Sequence, residues 1–529
     1  MNLNSPFVRK VMYITAIMLL LFPLFLLGQP ATSTGRGGKL AQLRAEHSLS
    51  QAQLGDIDPL SISMQLATFG LRGVAVNILW EKATYYHKTE DFDNLSATLN
   101  QITKLQPHFL KVWEYQAHNL SYNISSEFDD YRQRYDWVKR GINFLVEGTR
   151  YNRQQPKLLQ NVGDFIGQKI GTPDERIQFR QLFLEDRDFH QTLDEEDGID
   201  AFTRRALGPT GKPDNWLIAW QWYQRAEDAV DPLGRRHLGK EPLYFYMLKP
   251  KSLISFAMAI EEEGFLDEKG REAFRRASEG WTEMGTRDIP TPSGFSVRMN
   301  DLELHRRAAA DLRQQIISLS GDLYERIKAD KESSLTEIER EAMALPASLR
   351  GDQENSLVRD VENKLRILNE DIVALLPPEL RPRGASLARA AEDRFDRVTA
   401  VEYCRELTNF EYFMMRCEVE QLKIATDARL AVRLADEFFV NTEVEKARDQ
   451  YELAWDKWAE IFRKFPRLLD DPEAEILRQS VGNYEQLLAQ FDETIPDDFK
   501  LRQLIEKYEM GNRLPDGFNP TGMPQGAGN

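Results

Sequence analysis

Cysteine is nearly absent: Cys404 and Cys417 are the only two in 529 residues. They lie in what reads as one helix, about 20 Å apart at 1.5 Å of rise per residue, too far for a bridge. A disulfide framework and a cysteine-rich zinc site are excluded, and the redox compartment is left open. Histidine is scarce as well. None of His47, His87, His108, His118, His190, His237 and His305 forms HExxH or sits beside a cysteine at metal spacing, so no metal ligand is assigned. GxxxxGK[ST], GxGxxG and GxSxG are all missing, which removes the phosphate cradles and the serine-hydrolase elbow. The acidic run Asp194 to Asp200 (DEEDGID) lacks the alternating ligands and terminal glutamate of an EF-hand and reads as an exposed loop. A basic footprint is lacking too: 84 acidic residues against 68 basic give a formal charge of -16, spread over many helical faces. Nucleic acid is therefore not expected as a partner. A carboxylate pair would leave no such pattern. No catalytic or cofactor-binding residue is assigned, no cofactor is implied, and the chain is read as non-enzymatic.

Long apolar runs are limited to one. Arg9 and Lys10 precede an uncharged stretch from Val11 to Leu27 (VMYITAIMLLLFPLFLL), about 26 Å of helix, enough to cross a bilayer when Phe7 and Val8 join it. A cleaved secretory signal would have a shorter apolar region and a small-x-small site, which Gln29-Pro30-Ala31 matches poorly. The expectation is a single-pass anchor in the bacterial cytoplasmic membrane, contacting lipid through residues 8–28. Arg36, Lys39 and Arg44 compete with Arg9 and Lys10 for the inner side, and the reading adopted places the C-terminal bulk in the periplasm. Pro23 is expected to kink the helix without preventing the crossing.

Strand alternation is also nearly absent, and amphipathic helical spacing takes its place. Trp80, Ala83 and Tyr86 share one stripe, and Phe92, Leu95, Leu99 and Ile102 recur at three- and four-residue steps before Pro107. Counting from Pro107, Trp113 and Ala117 fall in the phase of a tetratricopeptide repeat: a large residue wedged against the partner helix, then a small one permitting close approach. Trp137, Gly141 and Leu145 continue after an interruption at Ser125 to Arg134, and near the C-terminus Tyr451, Ala454, Trp458 and Ile461 precede Pro466 in the same way. Aromatic and small residues at these steps also suit a non-repeating bundle, and either reading gives an all-α fold.

Between these arrays, Leu312, Ile316, Leu319, Leu323 and Ile327 form one narrow seam and Leu357, Val361, Leu365, Leu368 and Ile372 another, predicting two long helices folded on each other. The charged remainder (KADKESS, EIERE, RDVENK) is their solvated face. Pro377, Pro378, Pro382 and Gly384 mark a hinge. The expected organisation is an anchor at 1–30, a linker at 31–55, degenerate tetratricopeptide-like helix pairs at 56–170, a second helical region at 171–300, a long helical hairpin at 301–376, further tetratricopeptide-like helices at 385–510 and a disordered tail at 511–529.

The stretches GLRGVAVNILW, LQPHFLKVWEYQAHNLSYNIS, WVKRGINFLVEGTRYN, MGTRDIPTPSGF, NFEYFMMRCEVEQ and YELAWDKWAEIFRKFP resemble the recurrent blocks of tetratricopeptide-like, single-pass membrane-anchored proteins of planctomycete-type bacteria. The resemblance spans most of residues 65–510. That family carries no established activity, so the resemblance implies an anchored helical array and no catalytic residue.

Three functional readings follow. The first is a membrane-anchored protein–protein interaction scaffold that holds other envelope proteins in the groove of its helix pairs, with Trp113, Tyr115 and Asn119 as candidate groove residues. The second is an envelope glycan-binding module or hydrolase using Trp216, Trp220, Trp222, Tyr223, Tyr244, Phe245 and Tyr246, which also suit the core stripe of a helix. The third is a structural homo-oligomer that self-associates through the hairpin seams.

Overall fold

The computed structural model describes residues 6–28, 38–39, 42, 72–233, 240–346, 349–470 and 472–511. The linker expected at 31–55, the start of the array and the tail from 511 lie almost wholly outside these residues. The chain is all-α: among the described residues the extended pairing is a ribbon of two strands of two residues each and one isolated bridge between Leu207 and Pro213.

Helix α1 (Pro6–Gly28) is 23 residues long and contains Pro23. Of its described apolar side chains, Ile14, Ile17, Leu19, Leu20 and Phe22 are between 55% and 69% exposed. Among the described residues no helix is long and apolar enough to cross a membrane.

The chain divides into two compact units, one of residues 1–277 with 417–529, the other of residues 278–416. In the first, α2 (Arg72–Lys88) pairs with α3 (Phe92–Leu105). Asp91 caps α3 by accepting from the Asn94 amide at 3.2 Å, and Leu95, Leu99 and Ile102 bury completely against Ala75, Leu79 and Ala83. Next come α4 (Leu110–His118), α5 (Tyr131–Tyr151) and α6 (Pro156–Asp164), in which α4 and α6 each run on into a π-helical turn, Asn119–Ile124 and Phe165–Lys169. Trp113 is the wedge of this layer. Its indole donates to the Pro107 carbonyl at 2.8 Å, and Asn152 donates to the same oxygen at 2.7 Å. A Cβ on Gly148 would sit 2.7 Å from the Trp113 ring, so α5 comes this close to α4 only because that position is glycine.

Helices α7 (Arg176–Glu185), α8 (Arg187–Asp197), α9 (Asn215–Leu233), α10 (Pro242–Tyr246) and α11 (Leu248–Glu262) continue the unit. The acidic run at 194–200 closes α8: Gly198 takes φ 64° and Asp194 accepts from the Ala201 amide at 3.2 Å, which makes it a capped turn. Arg180, almost wholly buried, is matched by Asp214 at 2.9 Å, Glu263 at 2.7 Å and Asn215. Near the C-terminus, α20 (Lys423–Val440) and α21 (Val444–Lys464) pack along Ala425, Ala428, Ala431 and Ala435 against Ala447, Tyr451 and Ala454, and α22 (Pro472–Ala489) joins them. Asp436 accepts from Tyr451 at 2.5 Å, Ser480 at 2.9 Å and Asn483 at 3.0 Å, tying the three helices together. Helix α23 (Arg502–Gly511) follows.

The second unit corrects the expected hairpin. The chain between 301 and 376 forms five shorter helices: α13 (Leu302–Ser320), α14 (Leu323–Ser333), α15 (Glu337–Ala344), α16 (Asp352–Leu365) and α17 (Asn369–Leu375). Gly321, at φ 54°, ends the first, and the extended backbone at Arg366 and Leu368 interrupts the second seam. The long antiparallel pair is α13 with α18 (Arg381–Thr408): Arg306 meets Glu402 at one end, and Ile316 packs with Ala388 toward the other. The proline cluster therefore leads into α18 within this unit and does not separate it from the C-terminal helices. Ile316 and Ile372 share one buried cluster, which leaves these two seam residues closed to a second copy. Helix α12 (Glu268–Thr286) precedes the ribbon of β1 (Ile289–Pro290) and β2 (Ser296–Val297). Cys404 lies on α18 and Cys417 on α19 (Phe410–Glu420), with Asn409 at φ 53° breaking the expected single helix.

Candidate aromatic face

Helix α4 buries Val112, Trp113, Gln116 and Ala117, so helical periodicity sends Tyr115 and His118 to its other side, and Tyr122 follows in the π turn. There they join rings from neighbouring elements. Trp80 of α2 lies 5.9 Å from Phe109 and 6.2 Å from Tyr115, and His87 lies 5.9 Å from Tyr115. His118 stacks on Tyr122 at 4.5 Å, and Tyr122 meets Phe165, the first residue of the second π turn, at 5.7 Å. Trp80, Phe109, Tyr115 and Tyr122 each keep 37% to 39% of their surface exposed. Single exposed apolar residues are ordinary; two groups of touching rings, Trp80 with Phe109, Tyr115 and His87, and Tyr122 with His118 and Phe165, on α2, α4 and the turn after α6 are not.

Charge at this face is sparse and placed. The Lys169 ammonium sits 4.1 Å from the centre of the Tyr122 ring, a cation–π contact. Burial first, then the nearby Lys169 charge, hold the His118 imidazole below its ordinary pKa, so it is neutral at pH 7. Burial raises the Tyr115 and Tyr122 phenols, the latter also through Asp164. Asp164, beneath the second π turn, accepts from Tyr223 at 2.8 Å and Gln160 at 2.9 Å, yet burial still pushes its carboxyl up.

Of the three groove residues expected from sequence, only Tyr115 stands on this face. Trp113 is 1% exposed and fills the α4–α5 core. Asn119 is also 1% exposed, and its side-chain oxygen accepts from Asn123 at 3.1 Å beneath the rings. Both are corrected to interior positions, because residues 113 and 119 fall on the face that also buries Val112, Gln116, Ala117 and Leu120. Trp80, Phe109, His118, Tyr122 and Phe165 were not singled out as groove residues, although the three- and four-residue steps from Tyr115 to His118 and Tyr122 carry that signal.

The other aromatic concentration is core. Trp216, Trp222, Tyr223, Phe245 and Tyr246 are at most 5% exposed, while Trp220 and Tyr244 lie half-buried under the Lys249 and Lys240 ammonium groups. No open platform for a sugar ring is formed there among the described residues. No group of three or more His, Cys, Asp or Glu side chains able to hold a metal ion occurs among them either. No protein-family model matches the chain, and no curated protein matches it in sequence.

Proposed function

We propose that this protein is a membrane-anchored scaffold whose aromatic face, from Trp80 to Phe165, binds a segment of another envelope protein. The observation that carries the reading is two groups of touching rings, one around Trp80 and Tyr115 and one around Tyr122, with four rings more than a third exposed, on α2, α4 and the two π turns. Such rings supply large, stiff contact area at low entropic cost and dominate protein interfaces. π turns recur at functional sites because the extra residue re-aims side chains, and two of them meet at this face. Helix α1 supports the anchor: its uncharged run is apolar on all sides, a pattern that suits lipid and not water. A single-pass anchor with a periplasmic soluble region, stacked tetratricopeptide-like pairs and membership of the planctomycete-type family belong to the same reading. Nucleic acid has no place in it, given the charge of -16.

The test is co-purification from detergent-solubilised native membranes. The triple variant Trp80→Ala, Tyr115→Ala, Tyr122→Ala should keep the helical signal and thermal midpoint of the parent and lose its stoichiometric partner. Recovery of the same partner at the same ratio would overturn the proposal.

A further inference from the structure

A second concavity lies away from the aromatic face, between α5 and α8. Lys139 reaches Asp186 at 2.8 Å and Arg150 reaches Asp197 at 2.9 Å, and in each pair the partners are 47 residues apart in sequence. Equal offsets mean that the two helices run side by side in the same direction. Residues 139 to 150 and 186 to 197 each cover eleven steps, so the two ion pairs stand about 16 Å apart along the helices. They act as straps across the ends of a groove of about 530 Å³.

The floor between the straps is apolar, formed by Val146, Phe189 and Leu193, with Asn143 and Thr192 on the walls. The lining carries four carboxylates, Glu147, Asp186, Asp188 and Asp197, against two cations, Lys139 and Arg150. Both cations are committed to the straps. Glu147 and Asp188 make no ion pair among the described residues and leave the groove a surplus of two negative charges over an apolar floor. A volume of this order suits a small molecule. Closure at both ends favours a whole small ligand over a stretch of a longer chain.

We propose that this groove binds a linear aliphatic polyamine, its methylene body lying on Val146, Phe189 and Leu193 and its terminal ammonium groups meeting Glu147 and Asp188. The site shares no ring with the aromatic face, so either proposal stands or falls without the other.

The experiment is titration calorimetry on the full chain in detergent at physiological salt, with spermidine as the probe and magnesium chloride and a tetralysine peptide as comparators. Saturable one-to-one binding of spermidine is expected, weakened roughly tenfold or more in the double variant Glu147→Gln, Asp188→Asn. Both positions are exposed, and an unchanged thermal midpoint will show that the variant is folded. The variant Thr192→Trp, which fills the groove without altering its charge, should also weaken spermidine. The proposal is overturned if spermidine shows no saturable binding, if magnesium or tetralysine binds as tightly, or if the folded variants bind spermidine like the parent.

Discussion

Trp113 shows how one residue acts at several levels. Its ring lies in contact distance of Phe144 at 4.7 Å and Tyr151 at 6.1 Å, its N–H is satisfied by Pro107, and Gly148 leaves room for it. Trp113→Ala should cost about 3–5 kcal/mol and Gly148→Ala about 1–3 kcal/mol, the first by a cavity and the second by overpacking. Both are read as a fall in the thermal midpoint of the full chain. A Gly148→Ala protein that melts like the parent would refute the close contact. His118 offers a titration. Its folded pKa is depressed, so the unfolded imidazole takes up a proton first as pH falls through the ordinary value of about 6.5. Its contribution to stability is present above that pH and is lost as pH falls towards its lower folded pKa. Lys169→Met should move the His118 midpoint upward in an NMR titration, since it removes the second cause of the depression; an unmoved midpoint would exclude that coupling. The sequence expected Trp113 to wedge against a partner helix, and its side chain is 1% exposed. A ring buried in this way could not also line an open groove.

At the scale of elements, legibility followed periodicity. Leu95, Leu99 and Ile102 on α3, and Tyr451, Ala454 and Trp458 on α21, are buried as their three- and four-residue spacing predicts. What periodicity does not carry is a change of helix that leaves the apolar rhythm intact. Gly321 and Asn409 break helices by adopting positive φ, which is not visible in the apolar seams on either side. The π turns at Asn119–Ile124 and Phe165–Lys169 each accommodate an extra residue, which in sequence looks only like an irregular repeat. In the first unit, Asp436 gathers three donors from α21 and α22, so Asp436→Ala should cost about 1–3 kcal/mol by orphaning the buried Tyr451 hydroxyl. Tyr451→Phe in that background should recover part of the loss, because it removes the orphan. A double variant that melts below Asp436→Ala would contradict this account of the cluster.

For the whole molecule, the all-α class was plain from the absence of strand alternation, and the boundaries of its units were not. The second unit begins at 278 and ends at 416, inside stretches of uniform helical character, because what separates the units is contact and not composition. The acidic helical chain with its lone apolar run carries only the expectation of an anchored interaction protein, and the ring-bearing face needed the fold to place α2, α4 and the second π turn near one another. Removing residues 1–30 should release the chain from the membrane pellet into the soluble fraction on cell lysis; retention in the pellet after alkaline carbonate would locate the attachment elsewhere. The central claim, that the aromatic face meets a partner, is most directly measured by placing a photo-crosslinking phenylalanine analogue at Tyr115 or Tyr122 in living cells, with Ile476, 63% exposed on α22, as the control position. The account predicts one discrete crosslinked protein from both ring positions and none from Ile476. Equal crosslinking from all three positions, or none from the two rings, would contradict it.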